Sequence, residues 1–450
     1  MTLVSGRRHD IHCRTMLHAK FLGHLEFTLN DHPLPLPEGR PLEWLVFVAS
    51  SATGRHHAEL EALFGVDGRG FLPNLPVWCA DALEFTDEGV RFTGSSDVGA
   101  YRSLEGDLKA LARLRGEFAP GLTSSDAAFQ TWLEVERFAL RKVFLSALLH
   151  NGAGLIESGR IAEGEKNLSF VERERVSLPA GFAAELNLEL ARVHWRLNRP
   201  DRAVTELEDA MPNLNPERRL EAQVNLSAAL LRLGRIGDAV TALRTLAASG
   251  ASRGWGLVHR ANALRFGDDL ERAVRDAGEA FQIASLEEDG YLAVAALNVQ
   301  GEAFLEMAQI AGTAPKDAVI AFGKALGISE VLGEDASAMT LAGLAHAHAV
   351  WGNQQKALKQ AERAFKRARA AKDSSATVRG LLALYAVTRI GSFARNALNK
   401  ARAMQHKPLE LLASLCVLEK DPSTELRFSA REIALGFGSE RWLTRLEDSR

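Results

Sequence analysis

Apolar residues return every three to four positions through most of this chain, the spacing of amphipathic helices. In RRLEAQVNLSAALLRLGRIGDAVTALRTL (218–246), Leu220, Val224, Leu226, Leu230 and Leu233 keep one helical face, and Gly234 can take the positive φ that ends the helix. The same phrase recurs: a helix, a short turn carrying Gly or Asn, and a second helix with an early alanine. It reads SGRIAEGE, LNRPDRAV, LGRIGDAV, FGDDLERAV, WGNQQKAL and RIGSFARNAL, with turn residues Gly159, Asn198, Gly234, Gly267, Gly352 and Gly391 and an irregular unit through Gly312. Successive spacings are 39, 36, 33, 45, 40 and 39 residues. Small residues such as Ala239 let the paired helices approach closely. No pair buries its apolar face alone, so the pairs are expected to stack into a superhelix with an inner groove.

Those spacings and turns resemble tetratricopeptide repeats, with the family's small, aromatic and proline positions only partly kept. The repeats are assigned to 176–407, and 408–450 is expected to be a helical cap. The first hundred residues read differently. FLGHLEFTL (21–29) alternates as a strand, NDHP is a turn, LEWLVFVAS and HAELEALFG read as short helices, and EFTDEGVRFTG as a hairpin turning at Asp87 to Gly89. The fold class expected is mainly α, a tetratricopeptide-like α-superhelix with a small N-terminal α/β winged-helix-like domain over 20–95, after a mobile leader over 1–19.

Between these parts lies LARLRGEFAPGLTSSDAAFQTWLEVERFAL (111–140). The helix SLEGDLKALARLRG stops at Gly116, Pro120 and Gly121 enforce a turn, and Ser125 or Asp126 caps a helix burying Phe129, Trp132, Leu133 and Leu140. DVGAYRSLEGDL (97–108), RGEFAPGL and FQTWLEVERFAL (129–140) resemble the bacterial transcriptional activator domain of SARP-type regulators. FLGHLEFTLNDHPLPL resembles the opening strands of that family's winged helix. The resemblance covers about residues 20 to 175, with the helical domain at 96–175, and Trp132 and Arg137 match positions that the family places before its repeat helices. It implies a DNA-binding transcriptional regulator. One stretch departs from the pattern: between Phe71 and Val90, where the family carries arginines on a recognition helix, there is no Lys or Arg, and Asp81, Glu84, Asp87 and Glu88 appear beside Pro73 and Pro76. Phosphate contacts supply most non-specific DNA affinity, so an acidic element there is expected to be repelled.

The cysteines, Cys13, Cys79 and Cys416, are too few and too far apart for a disulfide framework, which suits a reducing cytoplasm. No run of about 18 apolar residues predicts a membrane span. The 450 residues carry a net charge of -3, yet Lys356 to Lys407 holds 13 Lys or Arg against Glu362 and Asp373, leaving the remainder at -14. No P-loop, HExxH, GxSxG or GxGxxG is present, so no catalysis and no cofactor are expected. His9, His12 and Cys13 in HDIHC match no zinc spacing, and no metal is assigned. His346 and His348 of GLAHAHAV sit on a repeat helix, where packing is the expected role and His346 has access to the groove.

Two sets of cations are candidate binding residues. Arg196, Arg232 and Arg265 occupy one position of three successive repeats, so they form either a guanidinium row on the groove, able to bind an acidic peptide, or cations in the last turns of their helices. Lys359, Arg363, Lys366, Arg367 and Arg369 form either a solvated face or a contact for a phosphate backbone, an acidic protein or a second copy of the chain. The expected function is a cytoplasmic SARP-like transcriptional regulator whose superhelix receives a signal or protein partner. The alternative is a non-catalytic tetratricopeptide adaptor that binds a protein or peptide and has lost DNA reading.

Overall fold

The structure, a computed structural model, describes residues 17–66, 68–98, 116–245, 250–333 and 337–448. HDIHC and the helix expected over 103–115 lie outside the described residues, as does most of DVGAYRSLEGDL. The chain divides into two compact units, residues 1–186 and 187–450.

The first unit opens with strands β1 (Leu17–Lys20), β2 (Glu26–Leu29) and β3 (His32–Pro33), then α1 (Arg40–Ala49), β4 (Arg55–His56) and α2 (His57–Phe64). Of the strand expected over 21–29 only Glu26–Leu29 forms: Gly23, at φ 76, turns the chain between β1 and β2, and strand structure starts inside the expected leader, at Leu17. A 3₁₀ segment over Gly68–Asn74 and the five-residue α3 (Trp78–Ala82) precede the hairpin of β5 (Leu83–Phe85) and β6 (Gly89–Phe92), then β7 (Ser95–Ser96). One sheet runs β3-β2-β1-β7, with Leu17 opposite Leu29 and β7 parallel to β1; the other runs β4-β6-β5, antiparallel throughout. The Asp97 carboxylate accepts from the backbone N–H groups of Phe21 and Leu22, both at 2.8 Å, which ties the end of this region to its first strand.

Gly116 and the loop after it lead into α4 (Ala127–Glu157), whose N-cap is Asp126, accepting from the Phe129 N–H at 2.9 Å. Phe129, Leu133 and Leu140 are buried with Phe21, Phe27, Trp44 and Phe47 in one core. Trp132 meets the Phe47 ring edge-on at 4.9 Å. Arg137 donates to the carbonyls of Phe118, Ala119 and Leu122 at 3.0, 2.8 and 3.0 Å, so a single planar fork holds the loop that the proline and glycine turn. After α5 (Ile161–Glu174) comes α6 (Ala180–Arg196), within which the unit boundary falls.

The second unit continues in pairs: α7 (Pro200–Ala210), α8 (Pro216–Arg232), α9 (Ile236–Ala242), α10 (Ala251–Phe266), α11 (Leu270–Leu286), α12 (Gly290–Ala311), α13 (Lys316–Leu332), α14 (Ala338–Val350), α15 (Gln354–Ala370), α16 (Ser374–Thr388) and α17 (Gly391–Ala403). It closes with α18 (Lys407–Leu418), α19 (Thr424–Phe437) and α20 (Glu440–Asp448). Every turn read from the sequence joins two helices. Two turns differ in which residue takes the positive φ: beside Gly267 it is Asp268 (φ 70), and beside Gly391 it is Arg389 (φ 57). Both side chains accept or donate hydrogen bonds in these turns' surroundings, and the neighbouring glycines are left in ordinary helix-end conformations.

Close packing depends on small residues where helices cross. The fully buried Phe322 of α13 lies against Gly301 of α12 and Gly343 of α14, where an added Cβ would come within 2.9 and 2.4 Å of its ring. Gly343→Ala is therefore expected to cost about 1–3 kcal/mol through overpacking, read as a lower urea midpoint; an unchanged midpoint would show that the ring can move aside.

Candidate functional site: the inner face of the helical repeats

The second unit winds tightly enough to bring its last helices back over its early ones. Arg232, at the end of α8, donates through Nε to the Met404 carbonyl at 2.9 Å, 172 residues on, and through Nη2 to Asn198 Oδ1 at 2.7 Å. Trp442 of α20 is fully buried, its indole N–H donates to the Phe266 carbonyl at 3.1 Å, and its ring stacks on Phe266 at 5.9 Å. Arg441 reaches Glu306 at 2.6 Å and Asp268 at 3.0 Å.

This winding corrects the expected guanidinium row. Arg232 is only 5% exposed and Arg265 only 2%, whereas Arg196 is exposed. Equal placement along each helix does not give equal surroundings, because the later helices cover two of the three sites. A buried guanidinium needs acceptors, and these two find a helix-end carbonyl and a pair of carboxylates. Arg265 pairs with Glu302 at 2.7 Å and also with Glu306, while Glu302 is shared with Arg379. Burial works against the charge of Arg265, but Glu302 and Glu306 outweigh it and hold its pKa above the ordinary value. Burial likewise opposes ionisation of Glu302, and Arg265 and Arg379 outweigh it, so that carboxyl lies below the ordinary range.

Alternate helices α10, α12, α14, α16 and α18, with α20, line a chamber of about 290 Å³. Its polar groups include the Arg265–Glu302–Arg379 cluster, His346, Tyr385 and Cys416. Tyr385 donates to Glu419 at 2.8 Å, and Arg389 pairs with the same carboxylate at 2.7 Å. Burial, with Glu419 adding to it, pushes the Tyr385 hydroxyl up to about 12; burial also lifts the Cys416 thiol to about 12, so that thiol stays protonated. His346 lines the chamber, while His348, the neighbouring candidate, is buried away from it. A second, smaller slot of about 260 Å³ lies among α6, α7, α8 and α10, where Trp195, Arg192, Asn225 and His259 meet.

Burial pushes His346 and His259 down to about 4 and His406 down to about 3, with nearby arginines adding to the effect on His346 and His406. The unfolded chain takes protons at about 6.5, so between pH 6.5 and 4 it binds more protons than the folded chain, and stability falls as pH falls. Below that window the loss of the Glu302 charge acts in the same direction. The thermal midpoint is expected to drop by several degrees between pH 7 and pH 5, and a flat profile there would refute the neutral buried histidines.

Of the second candidate set, Lys359, Lys366 and Arg369 are exposed. Arg363 pairs with Glu330 at 3.8 Å and Arg367 bonds to Ser337, so these two have work inside the fold. Arg369 joins Lys372 and Lys400, with Asn396 and Asn399, around an open groove of about 690 Å³ whose lining has no acid. Sequence reading missed the partners that matter most on the inner face: Glu302, Glu306, Arg379, Arg441 and Trp442. A signal for two of them was present, because Glu302 and Glu306 stand four apart as the only charged residues of the 22-residue α12.

Among the described residues no helix is long and apolar enough to cross a membrane. No family model matches the chain, and no curated protein matches it. Among solved structures it is similar to a Rap protein complexed with Competence and Sporulation Factor, at 14% identity over 78% of this chain and 97% of that one, with a TM-score of 0.51. A tetratricopeptide repeat protein from Parabacteroides merdae matches at 15% identity over 60% of this chain and 98% of that one, with a TM-score of 0.40. A signal transduction ATPase with a tetratricopeptide repeat sensor from Pyrococcus horikoshii matches at 13% identity over 91% of this chain and 65% of that one, with a TM-score of 0.38. The helix pairs and the first of these likenesses establish the fold: a mainly α chain, a tetratricopeptide-like α-superhelix with a small N-terminal α/β region.

Proposed function

We propose that this chain is a non-catalytic regulatory adaptor with the layout of SARP-type regulators, whose helical repeats receive a protein or peptide and whose winged-helix-like N-terminal unit no longer reads DNA. One observation carries the reading. Where a recognition helix would lie, the chain forms a 3₁₀ segment through Pro73 and then a helix of five residues. Trp78 is tied to the Pro35 carbonyl at 3.2 Å and packs on Phe27, and Cys79 is buried. A reading helix must present several side chains outward along a major groove, and five residues make little more than one turn. The acidic side chains of the stretch oppose phosphate in addition.

Receipt of a partner is supported by the inner face, where Trp195 is 40% exposed beside Asn225 and His259. Aromatic anchors of this kind dominate protein interfaces. The likeness to a Rap protein solved with Competence and Sporulation Factor supports the same reading. Placement in the cytoplasm belongs to the proposal, as does an acidic partner or a second copy on Lys359, Lys366, Arg369 and Lys400.

The second reading, a SARP-like transcriptional regulator, is favoured by the order of strands, three helical segments and terminal hairpin in the first unit. Capture of genomic DNA fragments by the full chain separates the two. The adaptor should enrich no defined site, and the weak binding that remains at low salt should vanish in a variant with Lys359, Lys366 and Arg369 all changed to Gln. Enrichment of a defined sequence that survives those changes would overturn the adaptor and restore the regulator. For the partner side, Trp195→Ala is expected to weaken capture of a bound peptide from an acidic peptide library at least tenfold, a loss of about 1.4 kcal/mol or more.

A further inference from the structure

The open groove of about 690 Å³ lies where α15 and α17 flank the first turns of α16. Most cations of the basic segment around it have a partner inside the fold: Arg379 with Glu302, Arg389 with Glu419, Arg402 and Lys407 with Glu410. The three cations of the groove differ. Among the described residues Arg369, Lys372 and Lys400 form no ion pair, and the Arg369 guanidinium stands 5.8 Å from the centroid of the Phe365 ring. The Ser374 hydroxyl and the Asn396 and Asn399 amides, which share the lining, make no hydrogen bond among the described residues either. Thr377 does, donating to the Asp373 carbonyl at 2.6 Å. Both acids of the segment stay out of the lining. Glu362 comes earlier on α15, and the Asp373 carboxylate caps α16, accepting from the Ala376 N–H at 2.9 Å.

Charge and donors together narrow the ligand. A single exposed cation holds an anion weakly, but three of one sign around a groove without an acid add their fields. The neutral groups then decide which anion fits. Two amides and a hydroxyl bring further N–H and O–H donors to the same wall, and a phosphate offers them three strong acceptor oxygens and close to two charges, where a carboxylate has two oxygens and one charge. Arginine, lysine, serine and asparagine side chains are together a usual set of partners for phosphate oxygens. Phe365 is the one aromatic ring of the lining, so a stacked single strand of nucleic acid is not favoured. We propose that this groove binds a phosphomonoester dianion. The phosphate sits among Arg369, Lys372 and Lys400, its oxygens take the donors of Ser374, Asn396 and Asn399, and the body that carries it lies along Phe365 and Leu381. This rests on the reading that an acidic partner docks at Arg369 and Lys400, and it names that partner's chemistry; the Trp195 slot has no part in it.

Such a phosphate has two sources, a phosphorylated side chain of a protein partner or a free phosphomonoester. Titration calorimetry on the full chain at pH 7.5 and about 150 mM salt, where exposed charges are screened beyond about 8 Å, separates them. One arm uses a short blocked alanine peptide with a central phosphoserine, the other glycerol phosphate. The same peptide with serine or glutamate at the centre, and a short DNA duplex, are the comparisons. At least one phosphomonoester should bind ten or more times tighter than the glutamate peptide. A lead for the phosphopeptide assigns the ligand to a partner protein, and a lead for glycerol phosphate assigns it to a free ester. Asn399→Asp, which sets an acid in the groove with almost no change of shape, should weaken that binding at least tenfold, and so should Lys372→Gln combined with Lys400→Gln. Asn399 is exposed, so the thermal midpoint of its variant should stay within a few degrees of the unaltered chain. Lys356→Gln, at the opposite end of α15, should leave the affinity within about twofold. Equal affinity for the glutamate peptide overturns the phosphate and leaves an acidic partner standing. A duplex bound as tightly as the better phosphomonoester overturns it in favour of a phosphodiester backbone, and a loss in Lys356→Gln as large as in the double variant overturns it in favour of a diffuse field. No binding by any probe up to about 1 mM overturns this inference and the acidic-partner reading together.

Discussion

Replacing Arg265 with alanine should destabilise the second unit by about 3–5 kcal/mol, the cost of breaking a buried ion pair by removing one partner. Glu302 and Glu306 would each keep one cation, Arg379 and Arg441 respectively, so the loss should stay within that range. Lysine should recover little of it, because a point charge cannot serve two carboxylates at once as the planar fork does. The companion change Arg265→Met with Glu306→Met should cost less than the sum of the two single changes, since each of them removes the same ion pair. Urea unfolding of these variants beside the unaltered chain measures this directly. A loss under about 1 kcal/mol for Arg265→Ala would mean that the cluster is solvated in solution and that Arg265 is free to serve as a groove residue after all.

Trp442→Ala should release the terminal helix without unfolding the chain. Truncating a fully buried tryptophan costs about 3–5 kcal/mol, and here the loss includes stacking on Phe266 and the hydrogen bond to its carbonyl. Helix α20 has nine residues, too few for helical stability of its own, so its order depends on this contact and on Arg441. Amide exchange over 440–448 should therefore accelerate by a factor of about 10² or more, while exchange in α12 and α14 changes little. Unchanged protection of α20 would show that Arg441, bonded to Glu306 and Asp268, holds the helix unaided.

Most of the architecture was legible because it is written locally. The turn at each predicted junction needs only a residue tolerant of positive φ and an apolar face on either side, both visible within a dozen residues. The cap at Asp126 was legible in the same way, as was the hairpin turning at Asp87 to Gly89. The strand over 21–29 was misjudged because alternation does not reveal a break; Gly23 turns the chain there, and Leu22 instead bridges to Phe118, 96 residues on.

The candidate site divides along the same line. The sequence by itself determined the repeats, their turns, the acidic and proline-broken stretch at 71–90, and the basic segment at 356–407, because each is a matter of neighbouring residue types. Only the tertiary structure decided that Arg232 and Arg265 are buried, that Arg367 bonds to Ser337, and that Glu302 and Glu306 form the heart of a cluster. The physical reason is the curl of the superhelix. It brings Met404 to Arg232 and Trp442 to Phe266 across more than 170 residues, a small rotation summed over many helix pairs that no local pattern records.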